Sequence, residues 1–352
     1  MKQSFYQYSL SQLQELFALN DLPPTGPGLL FNWHYKKRKT EPCVIDLAKK
    51  SISFVQESLS FDLPEIDTTQ VSSDKTVKFL FKLGDGLKVE TVIIPFNNKY
   101  TICLSSQVGC AMKCSFCHTG IQGLQRNLKT EEIIGQFLAA QLWLSERRPL
   151  DDKILNIVFM GQGEPLHNFD AVKVACEIFL SQYGLSLADQ KITISTAGYL
   201  PGLERWKREM PQVNIALSLH SPIKAKRDQL IPINKRYPLE EVLKYVQAIP
   251  EGKNRFVTYE YLLIAGFNDS EEDAHETGKL LLGQKAYVSL IPFNPFPGSE
   301  YKRPVLSQVE KFKAILDSYR IPTLIRATKG DEILAACGQL NSKQTPTTLV
   351  PS

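Results

Sequence analysis

The sequence has no uninterrupted apolar run of about 18 residues or more, so we expect no transmembrane helix. It also lacks the apolar core of a signal peptide near its start, because Met1–Tyr6 leads into polar sequence. These absences predict a cytoplasmic protein whose thiols remain reduced. The seven cysteines therefore indicate metal binding or catalysis rather than a framework of disulfide bonds.

The chain also lacks a large excess of one charge sign. Its 41 Lys and Arg residues are balanced by 37 Asp and Glu residues, which gives a formal net charge of +4, so composition favours a polyanionic partner only weakly. With 43% hydrophobic and 22% charged residues, the composition is that of a folded protein rather than a disordered one. A chain of 352 residues is long enough for one large core and smaller appended modules.

The hydrophobic pattern divides the first part of the chain into two regions. Residues 1–60 contain a short amphipathic stretch and the basic run Lys36–Lys39, and they predict a small N-terminal helical domain. Residues 61–107 predict a short β extension with a hairpin turn at Gly84–Gly86. Its predicted strands are Thr76–Lys82, Val89–Pro95 and Tyr100–Ser105.

Residues 108–340 alternate between helical and strand patterns, which is typical of parallel β/α units. The predicted strands are Ile154–Met160, Lys191–Ser195, Val213–Leu219, Arg255–Leu263, Ala286–Ile291 and Thr323–Arg326. Predicted helices include residues 130–144, Ala171–Leu180 and Val309–Tyr319. About six such units predict an α/β fold with an incomplete (β/α)6 barrel, followed by a flexible tail over residues 341–352.

Three cysteines form a compact motif. Cys110, Cys114 and Cys117 have the spacing C-x3-C-x2-C, and cysteine thiolates can hold a [4Fe–4S] cluster. Three ligands leave one iron open, much as a catalytic metal keeps a vacant coordination position. The motif therefore predicts a cluster that has both a redox function and a binding site.

Other interpretations of the motif remain open at this point. The segment Cys114–His118 also fits the C-x-x-C-H rule for covalent haem attachment, although that chemistry normally requires export. The three cysteines and His118 could instead hold a structural zinc ion, although all four ligands would come from one short loop. The cysteines could also cluster by chance as buried residues.

The C-x3-C-x2-C motif is the hallmark of the radical S-adenosylmethionine (SAM) superfamily, and the chain resembles its RlmN/Cfr family of RNA adenine methyltransferases. The likeness extends over about residues 76–340 as an ordered set of motifs. These motifs are Val89–Val92, Cys103 with Ser105–Cys110, Met160–Pro165, Ser218–His220, Pro232–Asn234, Asn294–Gly298 and Ala335–Leu340.

The resemblance implies a [4Fe–4S] cluster on Cys110, Cys114 and Cys117, with SAM beside it. The residues expected to contact SAM are Gly163, Glu164, Ser195, Ser218, Leu219, His220 and Asn294. Three of these, Ser195, Ser218 and Asn294, stand at or just beyond predicted strand ends, where parallel β/α folds bind ligands. Glu164 would supply a carboxylate for the amino group of SAM, and Gly163 would let the backbone approach the ligand.

The resemblance also implies roles for two further cysteines and one acid. Cys337 takes a methyl group from one SAM, and a radical made from a second SAM activates that methyl group for addition to adenine. Cys103 removes the ring proton and then attacks the sulfur of Cys337, leaving a transient disulfide. Glu90 is expected to handle a proton, although its alternating strand also allows it to face solvent.

The expected substrate is carbon 2 of an adenosine in 23S rRNA and also in tRNA, with residues 1–60 helping to grip the RNA. The expected electron donor is a flavodoxin or a ferredoxin, and the chain is expected to be a monomer. Carbon-8 methylation of the antibiotic-resistance type is the alternative, and a non-catalytic iron–sulfur or zinc RNA-binding module is another. Candidate phosphate contacts are Arg126, Lys129, Lys224, Arg227, Lys235 and Arg236.

One position departs from the family pattern. An acid is expected where Leu334 precedes Ala335, which puts the contacts of the loop around Cys337 in question, but not the thiol itself.

Overall fold

The computed structural model describes residues 2–39, 41, 46–96, 99–148, 153–247 and 256–341. The predicted tail from residue 342 onward lies outside the described residues. A search of the described helices found none with the length and apolar content that crossing a membrane requires.

The described part of the first 60 residues is largely helical. Three helices, α1 (Leu10–Leu19), α2 (Gly26–Phe31) and α3 (Lys49–Ser58), follow one another, and the two-residue strands β1 (Gln3–Ser4) and β2 (Leu59–Ser60) pair in parallel. Ser9 begins α1 with a capping box, which satisfies backbone N–H groups of the first turn. Buried aromatic rings pack together in the core of this region, among them Phe5, Tyr6, Phe31 and Tyr35.

One ten-stranded sheet runs through the rest of the described chain. Its antiparallel part contains β3 (Glu65–Val71), β4 (Val77–Lys82) and β5 (Lys88–Phe96). Its parallel part contains β6 (Lys99–Cys103), β9 (Ile154–Phe159), β10 (Ile192–Thr196), β11 (Asn214–Ser218), β12 (Val257–Leu263), β13 (Ala286–Pro292) and β14 (Thr323–Ile325). The strand order across the sheet is β14-β13-β12-β11-β10-β9-β6-β5-β4-β3. The short strands β7 (Gln107–Val108) and β8 (Arg126–Asn127) form a separate ribbon.

Helices connect the parallel strands. These are α4 (His118–Gln122), α5 (Thr130–Arg147), α6 (Phe169–Leu180), α7 (Leu200–Glu209), α8 (Lys224–Leu230), α9 (Leu239–Val246), α10 (Glu271–Leu281) and α11 (Leu306–Ser318). Because β14 and β3 are the two edges of the sheet, its parallel part does not close, as expected for the predicted incomplete barrel.

The strand β6 differs from its predicted assignment. The sequence placed it in the β extension of residues 61–107, but it pairs in parallel with β9, with Ile102 beside Ile157. It also pairs antiparallel with β5, so it joins the extension to the barrel. The predicted boundary at residue 107 therefore falls after the first parallel strand rather than before it. The consequence for the site is that Cys103 ends a barrel strand.

Candidate active site

The loop that carries the three cysteines starts at the carboxyl end of β6. The ribbon of β7 and β8 closes its base, and the Cys110 N–H donates to the carbonyl oxygen of Gly123 at 3.2 Å. Gly109 has φ +76°, and a Cβ there would lie 1.8 Å from that same carbonyl oxygen. Only glycine fits where residue 109 passes so close to the backbone of Gly123. This close contact holds the cysteine motif against the barrel.

Cys110, Cys114 and Cys117 line one cavity, together with residues from several strand ends. All three are free thiols. Burial raises the pKa of each thiol, to about 12 for Cys110, and the neighbouring cysteines raise the pKa of Cys114 further. Three thiolates gathered here therefore need a strong local positive charge, which iron supplies.

The described residues contain no group of three His, Cys, Asp or Glu side chains close enough together to hold a single metal ion. A tetrahedral zinc ion would require its sulfur ligands about 2.3 Å from one common centre. Such a preassembled mononuclear site is not found around Cys110, Cys114 and Cys117 in the described part of the chain.

Glu164 lies on the wall of the same cavity and is 3% exposed. Its carboxylate accepts hydrogen bonds from the N–H groups of Leu166 at 3.1 Å and Ala197 at 2.9 Å. Burial nevertheless raises the pKa of Glu164 to about 7, because these bonds only partly replace water. A cationic group in the cavity would stabilise the charged form, and the amino group of SAM has this charge.

Gly163 lines the same cavity, and its packing also requires a glycine. Gly163 has φ +102°, and a Cβ there would lie 2.5 Å from the Cβ of Gln107. The side chain of Gln107 in turn accepts the Glu164 N–H at 2.8 Å. Gly163 therefore lets the segment after β9 pack against the start of the cysteine loop, and this packing aims Glu164 into the cavity.

The opposite wall of the cavity comes from strand ends. Ser195, Ser218 and His220, which were expected to contact SAM, lie there. The Ser195 hydroxyl donates to the Glu260 carboxylate at 2.6 Å. His220 accepts the Leu262 N–H through Nδ1 at 3.1 Å, and burial lowers the pKa of its imidazole to about 3, so it is neutral.

Two of the expected SAM residues do not line this cavity. Leu219 is fully buried, and its N–H donates to the carbonyl oxygen of Glu260. Asn294 lines a second cavity instead, where its Nδ2 donates to the carbonyl oxygen of Cys337 at 3.2 Å. The geometry therefore makes Leu219 a support of the wall and makes Asn294 a support of the segment that carries Cys337.

Cys337 lies at the boundary between the two cavities and lines both. Cys103, at the end of β6, lines the second cavity together with Met160 and Arg326. Cys103 also packs in one hydrophobic cluster with Ala335 and Leu340, which flank Cys337. Both cysteines are free thiols. The fold thus brings together two cysteines that are distant in sequence, at the junction between the cavity of the three cysteines and a second opening.

Arg326 connects the two cavities electrostatically. Its Nη1 donates to the Glu260 carboxylate at 3.3 Å, and Glu260 lines the first cavity. Cys337, above all, raises the pKa of the Arg326 guanidinium. Burial raises the pKa of the Cys103 thiol to about 12, with Cys337 adding to the rise and Arg326 opposing it. Arg326 is therefore a cation that favours the thiolate form of Cys103.

We define the Cys337 loop as residues 330–341. The Cys337 loop rests on α4, which follows the cysteine motif: the His118 N–H donates to the carbonyl oxygen of Gly338 at 2.8 Å, and the Thr119 hydroxyl donates to that of Leu340 at 2.8 Å. The two chemically important loops are thus in direct contact.

Glu90 lies behind the Cys337 loop rather than on the wall of either cavity. It is 5% exposed, so the solvent-facing alternative was wrong. Its carboxylate pairs with Lys78 at 3.0 Å and accepts the Asn341 N–H at 2.6 Å. Burial raises the pKa of Glu90, and Lys78 opposes the rise.

Sequence reasoning missed Glu260 and Arg326. A signal for Glu260 was available, because it is a lone acid within the apolar strand β12, and a buried carboxylate needs a partner. Arg326 follows the short strand β14 and had no comparable signal.

The proposed phosphate contacts need correction. Arg227 is 1% exposed and donates to the carbonyl oxygens of Ser218 at 2.6 Å and Ala197 at 3.0 Å. It therefore joins strand ends and does not face RNA. Arg126 is paired with Asp85 and Glu132, so a phosphate would have to compete with two carboxylates.

An open parallel sheet with a C-x3-C-x2-C loop after its first strand, and a cavity lined by the three cysteines of that loop, is characteristic of radical SAM enzymes. The family model described as the Radical SAM superfamily matches residues 104–277. The structure is similar to that of a radical SAM methyltransferase from Sphaerobacter thermophilus, with a TM-score of 0.88 and 35% identity over 97% of this chain and 99% of that one.

Proteins of similar sequence identify one family within this class. The "Probable dual-specificity RNA methyltransferase RlmN" of Aquifex aeolicus is 42% identical over 96% of this chain and 97% of its own length. The "Dual-specificity RNA methyltransferase RlmN" of Alkalilimnicola ehrlichii is 40% identical over 94% and 91%, respectively. The chain belongs to the RlmN family of radical SAM methyltransferases, and this membership implies a [4Fe–4S] cluster and SAM as cofactors.

Proposed function

We propose that this protein methylates carbon 2 of an adenosine in 23S rRNA and in tRNA. The observation that supports it most directly is the position of Cys337 between the cavity of the three cysteines and the second cavity with Cys103. A group carried on the Cys337 sulfur can meet a cofactor on one side and a base on the other. The dual-specificity RNA methyltransferases named above support the substrate class.

Cys110, Cys114 and Cys117 would hold the cluster, and Glu164 would bind the amino group of SAM. When bound, the cluster and two SAM molecules per turnover would supply one methyl group and one 5′-deoxyadenosyl radical, and the cluster would take back one electron from the base after carbon addition. The sulfur of Cys337 accepts the methyl group as a new S–C bond, while the bond between that methyl group and the sulfur of SAM breaks and the thiol proton leaves. After that methyl group loses one hydrogen atom, the carbon held on Cys337 adds to carbon 2 of adenine.

Cys103 completes the reaction in this scheme. It removes the proton from the substituted ring carbon, and its sulfur then attacks the sulfur of Cys337. The S–S bond forms as the S–C bond to the base breaks, and the released carbon takes a proton. An external dithiol must reduce the disulfide before the next turnover. The remaining proposals are a flavodoxin or ferredoxin as electron donor, a monomeric chain and a cytoplasmic location.

The substitution Glu164→Gln should weaken SAM binding about 10- to 100-fold. It keeps the shape of the side chain but removes the charge that faces the SAM amino group, and a hydrogen bond to a charged group contributes about 1.5–3 kcal/mol. Equilibrium binding of SAM to the anaerobically reconstituted protein measures the effect. An unchanged affinity would remove Glu164 from the binding site.

Mass spectrometry of reconstituted protein, SAM and RNA tests the proposed function. We expect a methyl group on Cys337 and 2-methyladenosine in the RNA, both absent from Cys337→Ala. Cys176→Ala is the matched control, because Cys176 is buried in α6 and lines neither cavity described here. Formation of 8-methyladenosine would identify the carbon-8 alternative, and unmodified RNA with a loaded cluster would contradict the proposal.

A further inference from the structure

We propose that Lys78 is a positioning residue that, together with Glu90, clamps the Cys337 loop on both sides of Cys337 and so holds the Cys337 thiol between the two cavities. The inference deepens the proposed function, because it rests on Cys337 carrying the transferred carbon. It assigns a role to a buried lysine outside the motifs of the sequence analysis. It also assigns a structural role to Glu90, which is buried behind the Cys337 loop and bonded to its backbone.

The side chains of Lys78 and Glu90 meet across two strands. In the register of β4 and β5, Leu80 lies opposite Glu90 and Lys78 lies opposite Val92, so Lys78 and Glu90 are diagonal neighbours on one face of the sheet. Their side chains are only 10% and 6% exposed. Solvent screens such a pair much less than a surface ion pair.

The pair reaches the Cys337 loop at two points. The ammonium group of Lys78 donates to the carbonyl oxygen of Leu334 at 3.3 Å, just before Cys337. The carboxylate of Glu90 accepts the N–H of Asn341 at 2.6 Å, just after Cys337. One ion pair thus holds the backbone on both sides of the thiol.

The backbone at Leu334 depends on this contact. Leu334 has φ +50° and ψ 44°, a left-handed conformation that disfavours a leucine side chain. The only regular element of the Cys337 loop is the single 3-10 turn Asp331–Ile333. A hydrogen bond from Lys78 to the Leu334 carbonyl compensates this strained conformation, which would otherwise relax easily.

The clamp opposes the contacts on the other side of the Cys337 loop. His118 and Thr119 hold Gly338 and Leu340 from the side of the cysteine motif, while Lys78 and Glu90 hold Leu334 and Asn341 from the β extension. The antiparallel strands β4 and β5 therefore contribute to the site, because they carry Lys78 and Glu90, which hold the backbone around Cys337.

The test compares Lys78→Met with Lys82→Met. Lys82 lies on the same strand and pairs with Glu65, but at 3.5 Å and with both side chains about half exposed or more. In Lys78→Met, the amide hydrogens of residues 334–341 should exchange about tenfold faster or more, since a charged hydrogen bond is lost. Lys82→Met should match the unmodified protein.

The same variants are then loaded with cluster and supplied with SAM and RNA. Lys78→Met should bind iron normally yet form methylated RNA about tenfold more slowly or worse, with more 5′-deoxyadenosine released per methyl group transferred. That loss of coupling separates misplacement of Cys337 from general instability. Lys78→Arg, which keeps the cation, should recover most of the protection and the coupling.

Two results would overturn the clamp. One is a Lys78→Met protein that exchanges and couples like Lys82→Met. The other is Lys78→Arg behaving like Lys78→Met although it is folded and iron-loaded. If Lys78→Met does not fold, Glu90→Gln decides instead, because the neutral amide should accelerate exchange at Asn341 in the same way. If the unmodified protein methylates no RNA, the proposed function fails, whereas the exchange experiment still judges the clamp.

Discussion

Replacing Cys103 with alanine should leave the protein covalently joined to its RNA. Cys337 and the cavity of the three cysteines are untouched by this change, so the carbon on Cys337 should still add to adenine. The variant lacks both the base for the ring proton and the sulfur that attacks Cys337. Product release should therefore slow by about 10²- to 10⁴-fold, the range for loss of a general base.

The adduct is measured as RNA that migrates with the protein under denaturing conditions, followed by mass spectrometry of the linked peptide. The link should map to Cys337, and the double variant Cys103→Ala, Cys337→Ala should show none. Cys176→Ala controls for removal of a buried thiol outside the two cavities. Free methylated RNA released by Cys103→Ala at the ordinary rate would exclude Cys103 from the reaction.

Replacing any one of Cys110, Cys114 and Cys117 with alanine should remove the cluster and all radical chemistry. The three cysteines are the ligands on which the proposed cluster depends, and two thiolates cannot hold a cubane stably. Iron content, the visible absorption of the cluster and 5′-deoxyadenosine formation should all fall to background. Methylated RNA should disappear with them.

The fold should survive these substitutions. The cysteine motif belongs to a loop, and the main hydrophobic core is built from the strands and the helices around it. Circular dichroism and the melting temperature of the iron-free variant should therefore match those of the iron-free unmodified protein. Full iron binding by Cys114→Ala with normal turnover would contradict the ligand assignment.

Local patterns in the sequence determined the secondary structure and the cysteine motif. Strands such as β9 and β12 and helices such as α5 and α6 follow from runs of apolar residues and from their periodicity, which each segment carries by itself. The C-x3-C-x2-C motif lies within eight consecutive residues, so its ligands are neighbours in any fold. The ordered motifs also sufficed to indicate the family to which the chain belongs.

The resemblance implied that Cys103 and Cys337 react with each other, but only the tertiary structure shows which elements bring them near each other. Cys103 and Cys337 lie near each other because β6 is a barrel strand and because the Cys337 loop packs on α4. Burial depends equally on the assembled fold: Glu90 lies under the Cys337 loop with Lys78, and Arg227 is enclosed among strand ends. The sequence of one segment does not show which segments lie beside it in the sheet. Charge and spacing alone therefore could not predict the burial of Glu90 and Arg227. The sequence by itself therefore determined the elements and the cluster ligands, whereas long-range packing decided how the second pair of thiols is positioned and held.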